Sequence, residues 1–145
     1  MTRLASHSLS DLLIALTLAA CGSDDPAPEE GHTPADAALF VGGVDVSAAL
    51  VLPAGETERV EVRFLDDQGD VITGIEDDHH TKLTFTPAAL ATTAIVDGQN
   101  FQKDVTAQAD PGSGTVTVGY GHAEDADERE FGPYDVTVVA TGASR

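Results

Sequence analysis

The sequence predicts an all-β fold, an antiparallel sandwich of about seven strands. Three observations carry this expectation. From Val44 onward, apolar residues recur at every second position, the period of a strand with one buried face. Clusters of Gly, Pro, Asp and Asn cut that pattern into short pieces. No 3.6-residue periodicity is sustained after residue 20, so no helix is expected to contribute to the core.

The elements follow in order. Val44, Val46, Ala48, Leu50 and Leu52 alternate with polar or small residues and read as one strand, ended by the turn Pro53-Ala54-Gly55. Val60, Val62 and Phe64 alternate with Glu61 and Arg63, giving a strand with one wet face. Asp66-Asp67-Gln68-Gly69-Asp70 forms a hairpin or corner turn before Val71 and Ile72. Leu83 and Phe85 alternate with Lys82, Thr84 and Thr86 as far as Pro87. Ala88 to Ala94 is ambiguous, and its Ala-Leu-Ala core fits a single helical turn.

Ile95 and Val96 lead into the turn Asp97-Gly98-Gln99-Asn100. Phe101, Val105 and Ala107 mark a strand whose alternation Lys103 interrupts. Pro111-Gly112-Ser113-Gly114 is a strong turn. Val116, Val118 and Tyr120 then alternate with Thr115, Thr117 and Gly119. An acidic loop runs from Glu124 to Glu130, and Tyr134, Val136, Val138 and Ala140 form the last strand.

The motif order resembles bacterial immunoglobulin-like domains. The resemblance rests on Glu58 to Asp70, a long strand ending in an Asp-x-x-Gly turn, and on Lys82 to Pro87. Gly114-Thr115-Val116-Thr117-Val118 and Tyr134-Asp135-Val136-Thr137-Val138-Val139 complete it, like a closing F–G hairpin. It covers most of residues 39–141 and lacks the Cys and Trp hallmarks of antibody domains. An edge-closed barrel is the alternative.

The amino-terminal segment follows a different pattern. Arg3 precedes an apolar stretch from Leu12 to Ala20, too short to span a bilayer and of the length expected in an export signal. The stretch ends in Leu18-Ala19-Ala20-Cys21, followed by Gly22. This tetrapeptide resembles the lipobox of bacterial lipoproteins, in which the cysteine receives diacylglycerol and the chain is cleaved just before it. The resemblance implies a signal peptide at 1–20 and a lipidated Cys21, acylated with fatty chains such as palmitate. Gly22 is, by the same resemblance, permissive for outer-membrane sorting. Gly22 to Pro34 is acidic and proline-rich, the composition of a flexible leash. The expected layout is therefore signal peptide 1–20, lipidated cysteine and tether 21–37, and sandwich 38–145. About 108 residues suffice for one self-contained domain.

Composition narrows the function. The chain carries 25 acidic against 7 basic residues, a net charge of −18. Such a charge repels nucleic acid and anionic lipid headgroups, so nucleic-acid binding is excluded as an expectation. The acidic loops suit a cation or a cationic protein partner, and the membrane is the partner expected through the lipid on Cys21. The expected location is the bacterial cell envelope, at the outer membrane or the outer face of the cytoplasmic membrane. Cys21 is the one cysteine, so no disulfide within the chain is possible.

Catalysis finds no support. There is no nucleophile elbow, phosphate-binding glycine loop or zinc-protease helix motif, and Ser113 has no histidine near it in sequence. No catalytic residue and no cofactor is assigned. The expected role is non-catalytic binding or structure. Metal binding is the alternative, with zinc, copper or calcium as the ion. Its candidate ligands are His79 and His80, in Glu76-Asp77-Asp78-His79-His80, and His122, beside Glu124 and Asp125. Neighbouring strand residues face opposite ways, so His79 and His80 can share an ion only from a loop. The competing reading is a solvated polar connection. Asp66 to Asp70 is oxygen-rich enough for calcium but lacks the EF-hand spacing, which favours a plain turn.

Overall fold

The computed structural model describes residues 33–122 and 126–142. The apolar run, Cys21, the leash as far as residue 32, and the loop acids Glu124 and Asp125 lie outside the described residues. The described part is a sandwich of two β-sheets. Its strands are β1 (Asp36–Val41), β2 (Val44–Asp45), β3 (Leu50–Pro53), β4 (Thr57–Leu65), β5 (His79–Thr86), β6 (Ala91–Val96), β7 (Gln99–Ala107), β8 (Gly112–His122) and β9 (Arg129–Val139). One sheet has the order β2-β1-β4-β7-β6 and the other β3-β9-β8-β5. With the two short strands β2 and β3 set aside, this is the A-B-E-D and G-F-C arrangement of an immunoglobulin-type sandwich. The remaining seven strands agree with the number expected from the sequence.

Three elements depart from the sequence reading. The strand expected from Val44 to Leu52 is two strands in different sheets. Asp45 turns the chain between them: its carboxylate accepts the Ser47 N–H at 2.8 Å, an Asx turn. The Ser47 hydroxyl in turn accepts the Leu39 N–H at 2.9 Å. After this crossing β3 runs parallel to β9, with Leu50 opposite Val136, so the sandwich is not wholly antiparallel. The second departure is β1, which starts at Asp36 and runs across the expected boundary at 38. Ala37, Ala38 and Leu39 are all buried, and small residues buried in succession leave no alternation to read. The third is Ser113, which lies in β8; the bend comes before it, and β8 opens at Gly112.

Two uncertain stretches resolve simply. Within Ala88 to Ala94, the residues as far as Leu90 form a turn, closed by a Leu90 N–H to Pro87 carbonyl bond of 2.9 Å, and Ala91 to Ala94 already belong to β6. Lys103 is buried on the same face of β7 as Val105 and Ala107, so it changes the polarity of the pattern without shifting its register.

Small aliphatic side chains fill most of the space between the sheets. Leu39, Leu50, Val60, Val105, Val116 and Val118 are fully buried. Toward one end the core turns aromatic. The Phe64 ring lies 4.8 Å from Tyr120, 5.6 Å from Phe101 and 5.7 Å from Phe131, tilted or edge-on in each case. On the outer face of the β1-β4-β7 sheet, Arg59 makes a two-pronged bond to Asp104 and Arg63 sits over Phe40 while holding Glu61.

Tyr134 links the two sheets. Its hydroxyl, on β9, donates to the Ala37 carbonyl of β1 at 2.5 Å, with Asp36 at 3.5 Å. Burial, reinforced by the charge of Asp36, pushes the phenol up to about 12 from its ordinary 10.0. A group whose folded pKa is raised contributes stability in full below pH 10 and loses it as the pH rises toward 12. Tyr134→Phe should therefore cost about 1 kcal/mol at pH 7, the net worth of one hydrogen bond at a half-exposed site. Urea melts between pH 10 and 12 should show the variant losing stability less steeply than wild type. An equal or steeper loss would refute the link.

Candidate functional site

The connection between β4 and β5 meets the connection between β8 and β9 at the aromatic end of the sandwich. In immunoglobulin-type domains these are the B–C and F–G loops, which carry binding in variable domains. Strands β5 and β8 pair antiparallel, and the register puts His79 directly opposite His122. Their rings therefore share one face of the sheet, with centroids 4.0 Å apart. His80 is opposite Gly121 and belongs to the other face. Of the three histidines singled out from the sequence, the fold brings His79 and His122 together and sends His80 away, because the pair 79–80 lies on a strand and not on a loop.

The core holds His79 in place. Its ring stacks on Tyr120 at 4.9 Å and 22°, and its side chain is 12% exposed. Tyr120 belongs to the cluster around Phe64, so the imidazole rests on packed aromatics. His122 is more open, and a carboxylate orients it: its Nδ1 is hydrogen-bonded to Glu128. Its Nε2 then faces Asp78, 3.8 Å from Oδ2. The other oxygen of Asp78 is 3.1 Å from His79 Nδ1. Glu76 completes a group of four, each offering one ligand atom within 4.8 Å of the others.

Local sequence explains both walls. The Asp77 carbonyl accepts from Asn100 Nδ2 at 2.5 Å, and the His79 N–H donates to the Glu76 carbonyl at 3.1 Å. Ile75 packs against the core just before them. These contacts turn Glu76 and Asp78 toward the sheet. On the other side, residues 126–128 fold back over β8, and the Glu128 N–H bonds the Tyr120 carbonyl at 3.0 Å. The close approach needs bare backbone on β8. A Cβ at Gly121 would lie 3.0 Å from the backbone nitrogens of Asp127 and Glu128, and one at Gly119 would collide with the Ala126 carbonyl.

The electrostatics favour positive charge. The hydrogen bond and charge of Glu128 raise His122 above the ordinary imidazole range, with Asp78 and Glu76 adding to the effect. The same bond lowers Glu128. Tyr120 is pushed up by burial first and then by Glu128, Glu76 and Asp78. Two imidazoles and two carboxylates are the donors that suit zinc, copper or nickel, whereas calcium takes oxygen alone. The Asp66 to Asp70 run is a turn: Asp66 Oδ1 accepts the N–H groups of Gln68 and Asp70, both at 2.9 Å. Ser113 and His122 stand near opposite ends of β8, about 30 Å apart at the usual strand rise, so they form no nucleophile–base pair. Glu76, Asp78 and Glu128 had no individual role in the sequence reading. Acidic character was visible at each, but only the register of β5 on β8 selects them from their acidic neighbours.

No family model and no curated protein sequence matches the chain. Among solved structures, it is similar to domains 4 and 5 of the S-layer protein SbsC, at 21% identity and a TM-score of 0.44. That match covers 74% of this chain and 54% of the other. It is also similar to domains 6–7 of the surface layer protein SbsC, at 16% identity and a TM-score of 0.36, covering 74% of this chain and 47% of the other. The chain thus spans about half the length of each of these structures.

Proposed function

We propose that the protein is a lipid-anchored, non-catalytic module of the bacterial cell envelope, an immunoglobulin-like sandwich that binds or supports a partner close to the membrane. The observation that carries this reading is Leu18-Ala19-Ala20-Cys21 at the end of a nine-residue apolar run, with Gly22 after it. A single acyl chain binds a membrane only reversibly, whereas the two or three chains of a lipobox cysteine hold it stably. The composition beyond Cys21, acidic and proline-rich as far as Pro34, suits a tether between an anchor and the sandwich. A net charge of −18 favours a cationic partner and keeps the module off anionic headgroups. Sandwich domains bind through end loops and edge strands, and the end loops here are acidic.

The test is Cys21→Ser in a bacterial host, read by fractionation and by incorporation of labelled palmitate. Wild type should carry label and sediment with membranes. The variant should carry none and appear in the soluble fraction. A variant that still sediments with membranes would overturn the anchor.

A further inference from the structure

We propose that Glu76, Asp78, His79 and His122 bind one divalent transition-metal ion of the zinc class, and that the ion closes this end of the sandwich. The inference is independent of lipidation at Cys21.

Four features set this group apart from a solvated acidic loop. First, two of its donors are imidazoles set beside each other by strand register, with centroids 4.0 Å apart and planes tilted by 45°, not by loop composition. Second, the donor spacing fits. Ligands around a tetrahedral ion with bonds of 2.0–2.1 Å lie about 3.3 Å apart; Asp78 Oδ1 lies 3.1 Å from His79 Nδ1 and its other oxygen, Oδ2, lies 3.8 Å from His122 Nε2, so one carboxylate reaches both imidazoles. The group as a whole spans 4.8 Å, so its widest pair must close by about 1.5 Å to reach that spacing. Glu76 and Asp78 are exposed and can do so by a change of rotamer. Third, His122 has the outer support that metal-bound histidines need. Glu128 takes Nδ1, fixing the tautomer whose Nε2 lone pair points toward Asp78. Fourth, His79 is already immobilised on Tyr120, so binding costs little side-chain entropy there.

The donor set also names the class of ion. Two nitrogens exclude calcium and magnesium as natural occupants and match zinc or its neighbours in softness. Four protein ligands leave no open position for water, which is the pattern of a structural site. The ion would tie the irregular chain ahead of β5 to the last residue of β8. Asp78 already reaches across between those segments, bonded to its neighbour His79 and 3.8 Å from His122.

The experiment uses the full chain, purified in detergent and stripped of metal. Zinc should bind at one equivalent in a calorimeter and raise the melting temperature by about 10 °C at a hundredfold excess over its dissociation constant. Calcium at the same concentration should do neither. His122→Asn should abolish both effects while leaving the far-ultraviolet dichroism unchanged, because His122 lies at the exposed end of its strand. His80→Asn, one residue from His79 but on the other face, should bind like wild type. Glu128→Gln should weaken zinc about 10- to 100-fold without changing the stoichiometry, the usual cost of an outer-shell partner. Zinc binding that survives in His122→Asn, or is lost in His80→Asn, overturns the site. So does calcium acting as well as zinc, or no zinc binding at 1 mM.

Discussion

Replacing Phe64 with alanine is expected to remove about 4 kcal/mol of folding stability, the range measured when a buried aromatic is cut back to a methyl. Phe64 is the bulkiest of the fully buried side chains, at 2% exposure. Three rings pack against it, and tilted or edge-on aromatic contacts add about 0.5–1.5 kcal/mol each beyond the area they bury. The surroundings cannot collapse to fill the hole. Phe101, Tyr120 and Phe131, which line it, lie in strands whose backbone hydrogen bonds fix their spacing. A small domain has only about 5–15 kcal/mol in total, so the variant should be partly unfolded at 37 °C. The effect should also reach the histidines. Tyr120 loses one wall of its slot, and His79 is stacked on Tyr120. Urea denaturation measures the loss. A decrease below about 1 kcal/mol would mean that the aromatic cluster does not hold the two sheets together. Phe64→Leu, which keeps most of the volume, should cost no more than about 1.5 kcal/mol.

What could be read from the sequence follows from which faces are wet. β4 was legible because Glu61 and Arg63 mark its outer face between Val60, Val62 and Phe64. β8 and β9 were legible for the same reason, and together they form the hairpin that the immunoglobulin resemblance anticipated. β1 was not legible, because Ala37, Ala38 and Leu39 are all buried and small residues carry little pattern. The split of Val44 to Leu52 was invisible on different grounds. A chain that leaves one sheet and joins the other can keep its period of two throughout, so alternation cannot report the crossing. The same limit applies to the site. His79, His80 and His122 stood out as residues, but the register of β5 on β8 decides which two meet. Glu128 required still more, since its position depends on the loop folding back over Gly119 and Gly121. Glycines in a strand pattern signal close backbone approach, and that was the one sequence clue to this contact.

Gly114→Ala should cost about 3 kcal/mol, although it adds a single methyl group. Gly114 lies in β8, beside the point where the chain leaves β5. It has no need of a left-handed backbone, so alanine is not strained by its φ angle. Space is the constraint. The new Cβ would collide with the carbonyl oxygen of Thr86 and come within 2.9 Å of Leu90 Cδ2 and 3.0 Å of Pro87 Cδ. Leu90 is itself buried, so β8 must move away from the turn after β5, loosening the pairs Thr115–Thr86 and Val116–Phe85. Gly112, on the same face and two residues earlier, is the control. A Cβ there meets the Gln108 Nε2 at 2.5 Å, the far end of a flexible side chain that can swing aside. Gly112→Ala should therefore stay within about 1 kcal/mol of wild type, helped by the smaller entropy of the unfolded chain. The two variants add the same group to the same strand and differ only in what they meet. Equal costs in urea melts would show that β8 moves freely against the Thr86–Pro87 corner, and that its glycines are there for some reason other than room. Both positions lie at the opposite end of β8 from His122. The folded fraction of either variant should bind zinc as wild type does, which separates a loss of packing from damage to the histidine site.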